Sequence, residues 1–267
     1  MKALLYRELI WFKRFLADYI VSWVLPSAIS FMIIYLPVTI SDVNVVIDKF
    51  SSIVGVRLDI TSVIIVTLIM SSLIPVVSVV INDIIQTLFS EFKFLEVSST
   101  ILETTTIRRY LLANALVRPI LMTFFVTMYL IPALTAVLGL HGLVVYIYIE
   151  LALQLTSMVL GLYAALFAML ITFYTNISRP WSIANSIPPA ILAGSGIYLQ
   201  AYSIPPILRL FAQTTPVPQA VELIQVIALG MSAPNITHFL AVTAVLLSTY
   251  LTLTGFMGVK TDIKVRK

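Results

Sequence analysis

The sequence predicts an all-α membrane protein, and three observations carry that prediction. Of its 267 residues, 60% are hydrophobic and only 10% charged, whereas a soluble domain carries about a quarter charged residues and under half apolar ones. Apolar runs recur at about the 20 residues needed to cross a bilayer core of roughly 30 Å. Lys and Arg gather in alternate connecting segments, as cytoplasmic loops require. In lipid every backbone polar group needs an internal partner, so each span is read as a helix. The length would allow one or two soluble domains, but so few charges cannot cover a water-exposed surface. The whole chain, 1–267, reads as one transmembrane domain.

Residues 1–17 come first. Leu4, Leu5, Leu9, Phe12 and Leu16 recur at helical spacing, and Lys2, Arg7, Lys13, Arg14 and Trp11 accompany them. This pattern suits an amphipathic helix lying in the membrane interface, with Arg7, Trp11 and Arg14 as its anchors. The charges are scattered rather than set before an apolar middle, so no cleaved leader is expected.

Six spans follow, at Tyr19–Ile40, Thr61–Phe89, Ile107–Leu138, Leu143–Phe173, Trp181–Tyr198 and Thr237–Met257. The fourth is overlong: about 31 residues at 1.5 Å each reach about 46 Å, so it should tilt, protrude or break. Pro188 and Pro189 remove two amide donors from the fifth, which should kink or interrupt it. Gly194 and Gly196 then permit close approach or a change of direction. The stretch 199–235 is cut by prolines into two short helices, dipping into the membrane from the outer side or lying on it. In the second, Val217, Ala220, Val221, Ile224 and Ile227 share one face. The segment DVNVVIDKFSSIVGVRLD reads as a short outer loop.

With the N-terminus inside, twelve Lys and Arg fall on the cytoplasmic side and three on the outer side, with Arg118 inside the third span. The prediction is a multi-pass protein of the plasma membrane with both termini cytoplasmic.

Chemistry-bearing motifs are sparse. The chain has no cysteine, so thiolate metal sites and disulfides are excluded. His141 and His238 stand alone near outer span ends, without a second ligand at helical spacing. GFMGVKT, Gly255–Thr261, lacks the Gly directly before Lys that a phosphate-binding loop needs. No catalytic or metal residue is assigned, and no cofactor or nucleic-acid partner is expected for this chain. Ionisable residues at membrane depth are functional candidates. Asp83 and Arg118 either snorkel as an ion pair or act in transport. Glu150 is either bundle packing or part of a translocation path, together with Gly194 and Gly196.

The segment FKFLEVSSTILETTTIRRYLL, Phe92–Leu112, is the main polar interruption. If Phe92–Leu102 is helical, Phe94, Leu95, Val97, Ile101 and Leu102 form an apolar face, and Glu91, Glu96 and Glu103 lie elsewhere. Thr104–Thr106 would end that helix. By physics alone this is a short amphipathic cytoplasmic helix or a solvated connector.

Three stretches resemble one family. RELIWFKRFLADY resembles the interfacial helix, KFLEVSSTILETTTIRRYLLANAL the segment between the second and third spans, and AGSGIYLQAYSIPPILRLFAQTTPVPQAVELIQ the broken fifth span with outer re-entrant helices. The family is that of the membrane permease subunits of ABC transporters of the type-two export class. Relatives often carry Pro in the turn where this chain has Thr104–Thr106. The resemblance implies a pair of permease chains, identical or not, with a separate ATPase subunit below each. ATP and Mg would belong to those subunits. It makes 90–106 the coupling loop, with Phe94, Leu95, Glu96, Val97, Ile101 and Leu102 docking on the ATPase and Arg7, Trp11 and Arg14 bracing it. The alternative is a stand-alone secondary carrier or lipid scramblase, resting on Glu150, Asp83 and the broken fifth span. A lipid-modifying enzyme lacks a credible catalytic cluster.

Overall fold

The computed structural model describes residues 6–7, 10, 13–14, 16–25, 28–29, 32, 43–54, 57, 59–93, 105–175, 177, 180–197, 203–229 and 234–266. Among these residues there are helices and turns and no strand. Helix α1, Leu16–Tyr19, runs into a π-turn at Ile20–Val24; most of the rest of the first predicted span lies outside the described residues. Four helices are long and apolar enough to cross a membrane: Ile60–Lys93, Ile107–Thr127, His141–Tyr174 and Ile236–Lys264. The protein is therefore membrane-embedded and helical.

The predicted outer loop contains a helix, α2 (Val43–Val54). Helix α3, Ile60–Lys93, starts where Asp59 accepts the Ser62 amide at 3.0 Å. Bonds from Ser62 hold this exposed carboxyl below the usual carboxylate range. Helix α3 runs 34 residues through Pro75. Serines just before the proline bond back into the helix, Ser71 to the Leu68 carbonyl at 2.6 Å and Ser72 to the Ile69 carbonyl at 2.7 Å.

The third predicted span is two helices, not one: α4 (Ile107–Thr127) and α5 (Leu130–Leu138). Pro132 explains the break. Its ring opposes the carbonyl four residues back, that of Met128, where α4 ends. Tyr129 sits at the break, and its hydroxyl lies 2.7 Å from Ser71 Oγ, one turn before Pro75. Gly139 then turns the chain with φ +61°.

The overlong fourth span is unbroken. Helix α6, His141–Met169, continues through a π-turn at Leu170–Tyr174. Helices α3 and α6 form the inner pair of the bundle, and their facing Leu73, Val77, Ile81, Leu153 and Leu160 are fully buried. Gly161 lets α6 meet α4 backbone to backbone, since a Cβ there would lie 2.1 Å from the Ala115 carbonyl oxygen. Close approach through small residues is how membrane helices gain packing energy when lipid offers no hydrophobic drive.

Pro188 and Pro189 do not interrupt the fifth segment. Helix α7, Pro180–Gly194, passes through both and ends at Gly194, followed by Gly196 at φ +83°. Its 15 residues reach about 22 Å, short of a full crossing. Two short helices follow, α8 (Pro206–Ala212) and α9 (Val217–Leu229). On α9, Val217, Ala220, Val221 and Ile224 are buried, while Glu222 is exposed, the face the periodicity predicts. Helix α10, Pro234–Arg266, closes the chain. It is peripheral: 22% of its apolar window is buried, against 78% for α3.

Small residues on α6 and α10 differ in what they tolerate. Gly161→Ala should destabilise the bundle by about 1–3 kcal/mol, because backbone must move. Gly255→Ala should cost much less, because the nearest atom is Arg108 Nε at 3.2 Å, on a side chain that can shift. Thermal unfolding in detergent compares the two; equal losses would contradict the seam described above.

Candidate functional site

At one end of the bundle the chain's few charges and hydroxyls converge. Arg7 reaches from the N-terminal segment to α3 and α4. Its Nη1 donates to the Tyr110 hydroxyl at 3.0 Å and lies 3.5 Å from Glu91 Oε1; its Nη2 is 3.4 Å from Asn114 Oδ1. The Tyr110 hydroxyl donates to Glu91, and Asn114 donates to the Tyr110 carbonyl at 3.0 Å. The guanidinium also lies over the Tyr110 ring, 5.3 Å from its centre, a favourable cation–π position. Tyr110 and Asn114 are buried, one turn apart on α4.

The start of α4 is held twice more. Thr106 caps it, its hydroxyl accepting the Arg109 amide at 3.3 Å, as an N-cap residue does. Asp262 of α10 accepts the Ile107 amide at 2.9 Å, placing a carboxylate at a helix N-terminus, where the dipole favours it. Lys264 donates to the Phe173 carbonyl at 2.6 Å and lies 4.8 Å over the Tyr174 ring. Phe92 at the end of α3 meets Tyr110 and Phe173 edge-on, with ring centres 5.9 and 5.3 Å apart. Thus the ends that alternating topology assigns to one side, those of α3, α4, α6 and α10 with Arg7, lie together in space.

This cluster joins the end of α3 to the start of α4, the two helices that flank 94–104. The residues expected to dock on a partner, Phe94, Leu95, Glu96, Val97, Ile101 and Leu102, lie outside the described residues, as does Trp11. Of the three brace residues, Arg7 is half-buried in the cluster and Arg14 is exposed. Sequence reasoning missed Tyr110, Asn114 and Asp262 as partners and read Thr106 as a helix stop. The Thr before an apolar-periodic run was the available signal for the cap; Arg7 meets Tyr110 and Asn114, and Asp262 meets Ile107, across more than a hundred positions.

Glu150 is elsewhere. It lies nine residues into α6, its Oε2 2.5 Å from the Thr127 hydroxyl and its Oε1 2.5 Å from Gln154 Nε2. That same Gln154 nitrogen donates to the Ile120 carbonyl at 3.1 Å. The carboxylate is therefore stitched into the α4–α6 seam just before the break at Met128. Gly194 has a different role: a Cβ on it would lie 2.0 Å from the Leu208 carbonyl, so it seats α8 on α7. Gly196 supplies the turn after α7. Asp83 and Arg118 form an ion pair at 2.9 Å, joining α3 to α4. Helix α10 continues through Gly255–Thr261, where Gly258 admits Arg108. That stretch is a helix-packing surface and not a phosphate loop. No group of three or more His, Asp or Glu residues able to hold a metal occurs among the described residues.

The chain matches no known family, no characterised protein and no solved structure.

Arg7→Ala should remove the contacts to Glu91, Tyr110 and Asn114 and lower stability by about 1–3 kcal/mol, the usual worth of hydrogen bonds to a charged group. Arg7→Lys should recover only part of it, because an ammonium cannot reproduce the fork across Tyr110 and Asn114. The readout is the melting temperature in detergent; an unchanged value for Arg7→Ala would show that the cluster carries no weight.

Proposed function

We propose that the chain is the membrane-spanning permease subunit of an ATP-binding cassette exporter, driven by ATP hydrolysed on separate ATPase subunits. One observation carries this reading. The Arg7–Glu91–Tyr110–Asn114 cluster clamps the N-terminal segment to both helices that flank 94–104. A segment whose two ends are fixed in a rigid frame can pass a push into the spans; one hung on loose ends absorbs it. In this reading 90–106 is the coupling loop, Phe94, Leu95, Glu96, Val97, Ile101 and Leu102 meet the ATPase, and a second permease chain completes the path. ATP and Mg sit in the partner. In this reading the chain has six spans in the plasma membrane, the fifth begun by the short α7, and both termini are cytoplasmic.

The pair α8–α9 is taken as re-entrant. The supporting contact is the Tyr250 hydroxyl, which donates to the Thr214 carbonyl in the α8–α9 turn at 2.6 Å. Tyr250 is sixteen residues from either end of Pro234–Arg266, so the turn rests against the middle of α10.

A second reading, a stand-alone secondary carrier or scramblase, draws on Glu150 and its Thr127 and Gln154 partners inside the seam. Gradient-driven uptake by the lone chain in vesicles, abolished by Glu150→Gln, would favour it over the first.

Affinity purification of the tagged chain from its native membrane should bring down an ATP-hydrolysing subunit, and Phe94→Ala or Glu96→Ala should weaken that association and ATP-dependent transport. Absence of such a subunit, with transport untouched by both substitutions, would sink the exporter reading. Orientation is tested separately in this cysteine-free chain. A membrane-impermeant maleimide should label Arg57→Cys in intact cells and Lys93→Cys only after permeabilisation; the reverse pattern overturns the orientation.

A further inference from the structure

Beside the charged cluster, α4 and α10 border a groove of about 390 Å³. Arg108 and Leu112 line it from α4, and Leu251, Thr252, Gly255 and Phe256 from one face of α10. The lining is mainly apolar, and a single charge stands in it.

Two glycines set the path of that charge. A Cβ on Gly258 would lie 2.7 Å from Arg108 Cα, and one on Gly255 would lie 3.2 Å from its Nε and 3.4 Å from its Nη2. The backbone of Arg108 therefore crosses α10 at Gly258, and its guanidinium lies over Gly255. Asp262 and Lys264 mark the charged end of α10, so Gly255 is nearer the middle of that helix than Gly258. The side chain thus runs from the bundle end towards the apolar middle. A long basic side chain at a span end ordinarily reaches outward to water. No acid compensates this one. Among the described residues Arg108 has no ion pair and no side-chain hydrogen bond. Asp262 is committed to the Ile107 amide at 2.9 Å. Arg118, deeper on the same helix, has Asp83 at 2.9 Å. Arg108 is exposed, so the space it faces lies outside the bundle.

The groove joins two chemistries in a fixed order. The guanidinium can hold a phosphate through paired N–H donors. Leu112 and Leu251, each one turn closer to the middle of its helix, continue from it as apolar surface. An anionic phospholipid carries the same pair in the same order, with its phosphate at the membrane edge and its acyl chains towards the middle. A soluble anion would leave the apolar part bare, and a purely apolar ligand would leave the charge without a counterion. Basic pockets between membrane helices take anionic headgroups. We propose that the α4–α10 groove binds one anionic phospholipid from the leaflet that meets the charged end of the bundle. Its phosphate rests on Arg108 and one acyl chain lies along Leu112 and Leu251, beside Phe256. The site depends on the chain lying in a membrane and not on any ATPase partner.

The purified chain, without ATPase, is placed one copy per disc in phosphatidylcholine bilayer discs. These carry a phosphatidylglycerol with a photoactivatable diazirine on one acyl chain, or a phosphatidylcholine probe with the same chain, and crosslinked residues are mapped. Capture should favour the phosphatidylglycerol probe, with crosslinks concentrated on 112, 251–252 and 256. Arg108→Gln should cut that preference by about tenfold, the scale of hydrogen bonds to a charged group. Arg109→Gln, one residue on and outside the groove, should leave it nearly unchanged. Arg108→Lys should keep part of it, because the charge stays while the paired donors go. Equal losses for Arg108→Gln and Arg109→Gln would mean a general attraction to a basic membrane edge and overturn the site. Equal capture of the two probes by the unaltered chain would overturn it, as would crosslinks spread evenly over Val245 and Leu253. Displacement of the probe by excess glycerol phosphate would assign the groove to a soluble anion instead. Loss of capture when two chains share a disc would assign it to a second copy. Both of these results overturn the lipid. The map and the probe preference of the unaltered chain decide the matter even if Arg108→Gln misfolds.

Discussion

The bundle depends on α6 approaching its neighbours at backbone distance. Inside a bilayer the lipid tails are as apolar as leucine, so burying leucine against leucine gains little. What remains is dispersion, which requires many atoms at van der Waals range. Gly161 against Ala115, and Gly142 against the Leu134 carbonyl, set that range for α4 and α5. Once α6 is placed, α3 fills its other side with a fully buried apolar face, and α9 and α10 lie over what is left exposed.

The same solvent dictates where polarity is allowed. Several hydroxyls along the spans bond back to their own helices: Thr156 to the Ala152 carbonyl at 2.8 Å, Thr135 to that of Ile131 at 2.7 Å. Charges are treated differently. Asp83 and Arg118 neutralise each other, Glu91 is met by Arg7, and Glu150 is held by neutral donors from Thr127 and Gln154. Of these carboxylates, Glu150 sits beside the break between α4 and α5.

The two ends of the bundle are chemically unlike. One end is a web of guanidinium, carboxylate, phenol and ammonium groups that fixes the ends of four long helices. The other is an apolar groove between α6, α9 and α10.

The membrane class, the helical state, the alternating sidedness and the buried face of α9 were legible in composition, run length and period, because each is a local property averaged over many residues. Pro132 could also have been weighed, since its effect on Met128 is local; the run of apolar residues around it hid the break. Other outcomes were not local. Two prolines in α7 failed to stop the helix, whereas Gly194 ended it against Leu208. Arg7 finds Glu91, Tyr110 and Asn114, and Asp262 caps a helix that begins 155 residues earlier. By itself the sequence determined that the chain lives in lipid and is helical there, because transfer energies depend only on which side chains follow one another. Tertiary structure alone decided which charges meet, where the spans break and where a groove opens, because those follow from the relative placement of helices distant in the chain.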